Sequence, residues 1–273
     1  MFQSLNRSYK GTFPFRLGTT SFIYADGYIP NVELLGPWLD EIELLFFESD
    51  ASDDFPSKED IKELLQLAGQ HQISYNVHMP LDISPGHPDA AMRRRSVQVI
   101  ERIYDLTSPL SPTTFTVHLP FHGEARSTTD IASWHERIHR SLKQIIQAGI
   151  PAGIVSIETL NYPLRWIEDI IRELHFSVCM DVGHLLVHNF DLSAFYRRFH
   201  KEISIIHLHG VSGGQDHMAL DRLASSDSTV IMRALKPFSG SVSLEVFSFD
   251  NLKRSLSHLE KLWQKYYSPE DKK

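Results

Sequence analysis

The chain has 273 residues, 42% hydrophobic and 22% charged, with a formal net charge of −7. That length suits one large α/β barrel or two small domains. The negative balance disfavours tight, sequence-independent binding to nucleic acid, which needs Lys and Arg against phosphates. No apolar run reaches 18 residues and the N-terminus has no stretch of signal-peptide character, so no membrane association is expected. The single cysteine, Cys179, excludes an intrachain disulfide and sits in an apolar strand as a core thiol. A cytoplasmic location is expected.

Strand and helix patterns alternate along the chain. Strands are expected at 15–20, 42–47, 73–78, 114–119, 153–158, 176–181, 203–209 and 241–246. Each is a near-continuous apolar run, as parallel strands buried on both faces require. A short first helix is expected over 31–40, despite Gly36-Pro37. The next, over 57–70, opens on Ser57 with Asp60 three residues on, a capping-box pattern. Further helices are expected over 87–107, 128–148, 164–174, 191–200, 227–235 and 250–266. Eight βα repeats in one compositional regime give a single (β/α)8 TIM barrel over 1–273, with 266–273 as a frayed tail. An open doubly wound sheet is disfavoured because no GxGxxG turn follows the first strand.

The carboxyl ends of these strands carry the chemistry. YNVH ends at His78, FTVH at His118, VSIE at Glu158, VCMD at Asp181, SIIH at His207 and VSLE at Glu245. Glu158, Asp181, His207 and Glu245 make a hard, anionic ligand set for Mn²⁺, Zn²⁺ or Mg²⁺. Without a cation, carboxylates gathered there would repel one another. His184, three residues after Asp181 in MDVGH, can curl over the same rim, and Asp216 and His217 lie in a Gly-rich loop. With His78 and His118 the inventory reaches nine donors, enough for two or three divalent ions, Zn or Mn. His209 shares a strand face with His207, two residues away, and is a candidate acid or oxyanion contact. Glu48 and the aromatic loop with Phe22 and Tyr24 are candidate substrate contacts; Glu158 and Glu245 are candidate catalytic carboxylates.

These strand-end ligands, with MDVGH and the HxH of the seventh strand, resemble the xylose-isomerase-like barrel superfamily. That group holds sugar isomerases and epimerases and the endonuclease IV type of abasic-site nuclease. In the nuclease nine ligands hold three zinc ions; the match implies His78, His118, Glu158, Asp181, His184, His207, Asp216, His217 and Glu245 here. One departure stands out. The nuclease pattern is Asp-x-His, whereas Asp216 and His217 are adjacent, and neighbouring side chains converge only in a loop.

Narrower segments, TTSFIY, the IPNV helix start, EIELLFFES and IIHLHGVSGGQDHMAL, are similar to cobamide-remodelling phosphodiesterases. That resemblance implies hydrolysis of the phosphodiester in the nucleotide loop of a corrinoid, with a cobamide as the small-molecule partner. A cluster of metals suits displacement at phosphorus. The alternatives are a sugar isomerase or epimerase with one Mn or Zn ion in the Glu158/Asp181/His207/Glu245 quartet, an abasic-site nuclease disfavoured by charge, and a non-catalytic binding barrel. Oligomeric state is not legible.

Overall fold

The structure, a computed structural model, describes residues 2–50, 55–124 and 127–267. Eight parallel strands close into a barrel. In chain order they are β1 (Arg16–Thr20), β2 (Glu41–Leu45), β3 (Ser74–His78), β4 (Phe115–Val117), β5 (Val155–Glu158), β6 (Ser177–Asp181), β7 (Ile203–His207) and β10 (Ser241–Leu244). Each pairs with the next, and β1 closes on β10. A two-stranded antiparallel hairpin, β8 (Gly210–Ser212) and β9 (Gln215–Met218), rises from the end of β7. The protein is a single (β/α)8 barrel, as the alternation of elements implied.

The helices between the strands are α1 (Tyr28–Leu35), α2 (Lys58–His71), α3 (Ala90–Thr107), α4 (Thr128–Gln147), α5 (Glu168–Leu174), the pair α6 (Val182–Val187) and α7 (Leu192–Phe199), α8 (Ser225–Leu235) and α9 (Phe249–Tyr267). Helix α2 begins as expected: the Ser57 side chain accepts from the Asp60 N–H while Asp60 accepts from the Ser57 N–H. Helix α1 corrects the expected 31–40. It starts earlier and stops at Leu35, because Gly36-Pro37 ends it, while Pro30 is tolerated in the first turn, where no intrahelical N–H is needed. Tyr266 and Tyr267 continue α9 rather than fray; 268–273 lie outside the described residues.

The core has two shells. Leu17, Ile42, Leu44, Val77, Val117, Ile157, Val178 and Val242 are completely buried strand residues, and the helices cover them with Leu64, Ile100, Trp134, Ile138, Leu142 and Leu256. Cys179 is buried in β6, and burial pushes its thiol pKa up, so it is an inert core residue. Among the described residues no helix is long and apolar enough to cross a membrane. Because all eight barrel strands run parallel, their carboxyl ends share one rim, where loops and substrates meet in such barrels.

Candidate metal centre

The rim gathers strand-end side chains from five consecutive barrel positions and β10. Glu158 lies at its centre, 1% exposed. Its Oε2 is 2.6 Å from Nε2 of His118 and 3.1 Å from Nε2 of His78. Its Oε1 is 3.3 Å from Nδ1 of His207 and 3.5 Å from Nδ1 of His184. The same Nδ1 of His207 is also 3.2 Å from Oε2 of Glu245 and 3.8 Å from Oδ2 of Asp181. One ligand atom from each of Glu158, Asp181, His207 and Glu245 falls within 4.8 Å of the others, and all four residues are buried. Overlapping sets of the same tightness are His78/Glu158/His207, His209/His217/Glu245 and His184/Asp216/His217.

Hydrogen bonding marks where a cation fits. Buried polar groups ordinarily have partners. Here Oε1 of Glu158, Oε2 of Glu245 and Nδ1 of His207 have none, and both carboxylate oxygens lie within 3.3 Å of that nitrogen. Three carboxylates and an imidazole form a donor set for a divalent ion, so the residues present fit a metal.

The electrostatics agree. Burial works against ionising Glu158, but His118 and His207 outweigh it and hold its carboxyl well below the usual carboxylate range. Glu245 shifts the same way, with burial again opposed, chiefly by His207. Burial also disfavours a charged His184, yet Asp181, Glu158 and Glu245 raise it to about 9. In the absence of a cation, protonated imidazoles take over part of its role.

Local structure explains the placement of the remaining candidates. Asp181 caps α6, accepting from the His184 N–H, which brings His184 back over the rim; the His184 ring sits 2.9 Å from the Thr159 carbonyl. Asp216 and His217 do converge with His184, although they are adjacent. His217 has φ 51°, the left-handed region, and this local twist turns two neighbouring side chains of β9 to one side. His209 is completely buried: Nε2 lies 3.2 Å from Asp181 Oδ2, and Nδ1 accepts from the His217 N–H at 2.8 Å. Both nitrogens are thus engaged, and the ring braces Asp181. Gly183 makes room for it, since a Cβ there would lie 1.9 Å from His209 Cε1.

Beside this centre is a cavity of about 730 Å³, lined in part by Phe22, Tyr28, Phe46, Phe47, Phe55 and Glu48. Rings lead from it to the donors: Phe22 to Phe47 at 4.6 Å, Phe47 to Phe247 at 6.3 Å, and Phe247 to His217 at 5.2 Å between centroids. Phe22 and Glu48 therefore share the wall of this cavity. Tyr24 does not line this cavity. It is buried, its hydroxyl donates to the Gln3 carbonyl, and its N–H is held by Asn31. Two features went unnoticed in the sequence. Phe47 and Phe247 are exposed aromatic rim residues. Glu43, completely buried in β2, places Oε2 3.2 Å from Nε2 of His207. The alternation Glu41-Ile42-Glu43 was the available signal, because it puts two carboxylates on one face of an otherwise apolar strand.

Comparison with known proteins fixes the family. Residues 35–265 match the xylose isomerase-like TIM barrel family. No curated protein sequence matches. Among solved structures, a D-tagatose 3-epimerase-like protein superposes with a TM-score of 0.76 at 17% identity, covering 92% of this chain and 97% of that one. The IOLI protein, solved with a bound zinc atom, gives 0.73 at 14% identity over 93% and 100%. A 3-keto-D-glucoside 4-epimerase from E. coli gives 0.65 at 14% identity over 91% and 98%. These identities establish a shared fold. The expected cobamide phosphodiesterase is overturned, since sugar epimerases are prominent among the solved structures this chain resembles. The segments behind that expectation have structural work to do. Asn31 of IPNV ties the loop together through the Tyr24, Asp26 and Gly27 carbonyls, and Ser21 of TTSFIY accepts from the Leu45 N–H. Asn31 and Ser21 thus hold this corner of the barrel. The chain belongs to the xylose isomerase-like TIM barrel family.

Proposed function

We propose that the protein is a divalent-metal-dependent isomerase or epimerase acting on a small sugar. The observation that carries this reading is the buried Glu158/Asp181/His207/Glu245 quartet, four ligand atoms within 4.8 Å with orphaned polar atoms aimed at their centre. A bound Mn²⁺ or Zn²⁺ would supply Lewis-acid polarisation of a carbonyl and its neighbouring hydroxyl. Glu158 and Glu245 stay ionised well into acid, so each is available as a base for a proton on the carbon next to that carbonyl. Epimerisation needs a proton removed from one face of the carbon and one returned to the other. Glu158 and Glu245, which both contact Nδ1 of His207, would divide that work.

The remaining donors then have a role in binding. His78 and His118 hold Glu158 from behind, while His184, Asp216 and His217, all only partly buried, are placed to bond sugar hydroxyls. Fold similarity to sugar epimerases supports this reading over phosphoester chemistry.

The test is proton exchange. Protein reconstituted with Mn²⁺ or Zn²⁺ is incubated in D₂O with a panel of ketoses and aldoses, and NMR follows deuterium at the carbon beside the carbonyl together with the ratio of epimers. Incorporation that requires metal and disappears in Glu158→Gln and Glu245→Gln is expected. Metal-loaded protein that exchanges no sugar proton across the panel would overturn the reading.

A further inference from the structure

We infer that Glu43 is a positioning residue for the metal centre, holding His207 so that Nδ1 faces the cation. This rests on the proposed metal reading of the quartet. Strand β2 carries two inward carboxylates, Glu41 and Glu43, and their surroundings differ sharply. Glu41 accepts from Ser74 Oγ at 2.8 Å, Thr113 Oγ1 at 2.7 Å and Asn76 Nδ2 at 2.9 Å, and its Oε1 lies 3.3 Å from Arg16 Nε. It is a satisfied structural acid. Glu43, two residues nearer the rim, is completely buried with no hydrogen bond to either oxygen. Its close ionic neighbour among the described residues is Nε2 of His207 at 3.2 Å.

That contact crosses the interior of the barrel, because β1 and β10 stand between β2 and β7 in the strand order. It is therefore set by how the barrel is filled, not by strand pairing. A buried carboxylate without a partner is costly, and a hydrophobic residue of similar size would serve packing better. The geometry of His207 supplies the compensation. Nδ1 faces Glu158, Glu245 and Asp181, and Nε2 faces Glu43. A neutral imidazole that ligates through Nδ1 carries its one N–H on Nε2, and ligating histidines regularly give that N–H to a carboxylate, which fixes tautomer and ring and raises ligand basicity. The orphaned atoms on both sides of the ring then acquire partners together. Glu43 is completely buried and is not part of the lining of the aromatic cavity, so it acts through His207 and not on substrate.

The experiment compares Mn²⁺ affinity of wild type, Glu43→Gln and Glu43→Leu by calorimetric titration of metal-free protein, with ¹⁵N NMR of the histidine rings in protein loaded with diamagnetic Zn²⁺. Loss of an outer partner of a ligating histidine weakens metal binding about 10- to 100-fold. The leucine variant should lose most, and the glutamine variant, which keeps an acceptor oxygen, less. In metal-loaded wild type one imidazole should show an Nε2-bound, hydrogen-bonded proton whose resonance moves in Glu43→Gln. Variants that bind Mn²⁺ as tightly as wild type overturn the role of Glu43 and leave the metal reading intact. If neither variant folds, wild type decides: a His207 without an Nε2 proton in the loaded protein refutes the inference. Wild type that takes up no metal overturns the metal reading, and this inference with it.

Discussion

Stripping the metal and raising the pH should destabilise this protein, and the size of the loss follows from the donor cluster. In the metal-free protein the carboxylates of Asp181, Glu158 and Glu245 raise His184 from 6.5 to about 9 against the opposing effect of burial. A group with a raised folded-state pKa contributes stability fully below its unfolded value and loses it as pH climbs through the folded one. The shift of His184 spans about 2.5 units, and each unit is worth roughly 1.4 kcal/mol, so this ring alone accounts for about 3 kcal/mol. His78, His207 and His209 shift in the same direction, His207 through Cys179 first, but Glu245 contributes to raising every one of them, so their contributions do not add. Glu158 and Glu245 have the opposite sign: their depressed pKa values give stability above about 4.5 that fades as pH falls. Metal-free protein should therefore be most stable between about pH 4.5 and 6.5 and lose about 3 kcal/mol by pH 9. For a chain of this size that is a fall of roughly 6 °C in melting temperature. Differential scanning calorimetry of chelated protein at fixed ionic strength, with and without Mn²⁺, measures it. The cation should abolish the alkaline fall by taking the place of the protons. A metal-free melting temperature that is flat or rises from pH 6.5 to 9 would refute the charge assignment.

Other perturbations separate the scaffold from the site. Gly183→Ala places a methyl group on the buried His209 ring, with an ideal Cβ 1.9 Å from Cε1. It should cost about 1–3 kcal/mol by thermal melting and weaken metal uptake, because His209 must release Asp181. Asn31→Ala strips the loop before α1 of one acceptor and three donated bonds. A stability loss of about 2 kcal/mol or more is expected with Mn²⁺ affinity unchanged; a shift in affinity would show that the loop reaches the centre. Phe47→Ala removes an exposed ring from the cavity wall and should change stability by under about 1 kcal/mol. With a sugar that the enzyme turns over, KM should rise while kcat holds. An unchanged KM would remove the aromatic wall from the substrate path.

The barrel was legible because its signal repeats. Eight apolar runs each end near a polar residue, and closure of the sheet puts every such ending on one rim whatever the details of any single element. Helix α1 was misplaced because a Gly-Pro pair looks tolerable in a local window, while Asn31 spends its side chain on the preceding loop and so anchors the helix start upstream. Glu43 escaped notice for a different reason. Its partner is His207, three strands round the barrel and far along the chain, and no local pattern encodes a contact made across the interior.

The adjacent Asp216 and His217 show how a spacing argument can mislead. In an ordinary strand neighbours face opposite ways, so the pair was expected to converge only as part of a loop. The rule assumes extended backbone, and His217 departs from it at φ 51°, just after Gly213 and Gly214, both also at positive φ. The two glycines close the hairpin, the histidine absorbs the remaining twist, and both side chains reach the same neighbour, His184. A left-handed histidine is costly for a residue with a Cβ, and such conformations persist where surrounding contacts hold them. Here the His217 N–H is tied to Nδ1 of His209, whose other nitrogen holds Asp181. The strained backbone and the buried ligand set are therefore one connected unit, so the position of the hairpin over the rim depends on the same carboxylate that would bind the metal.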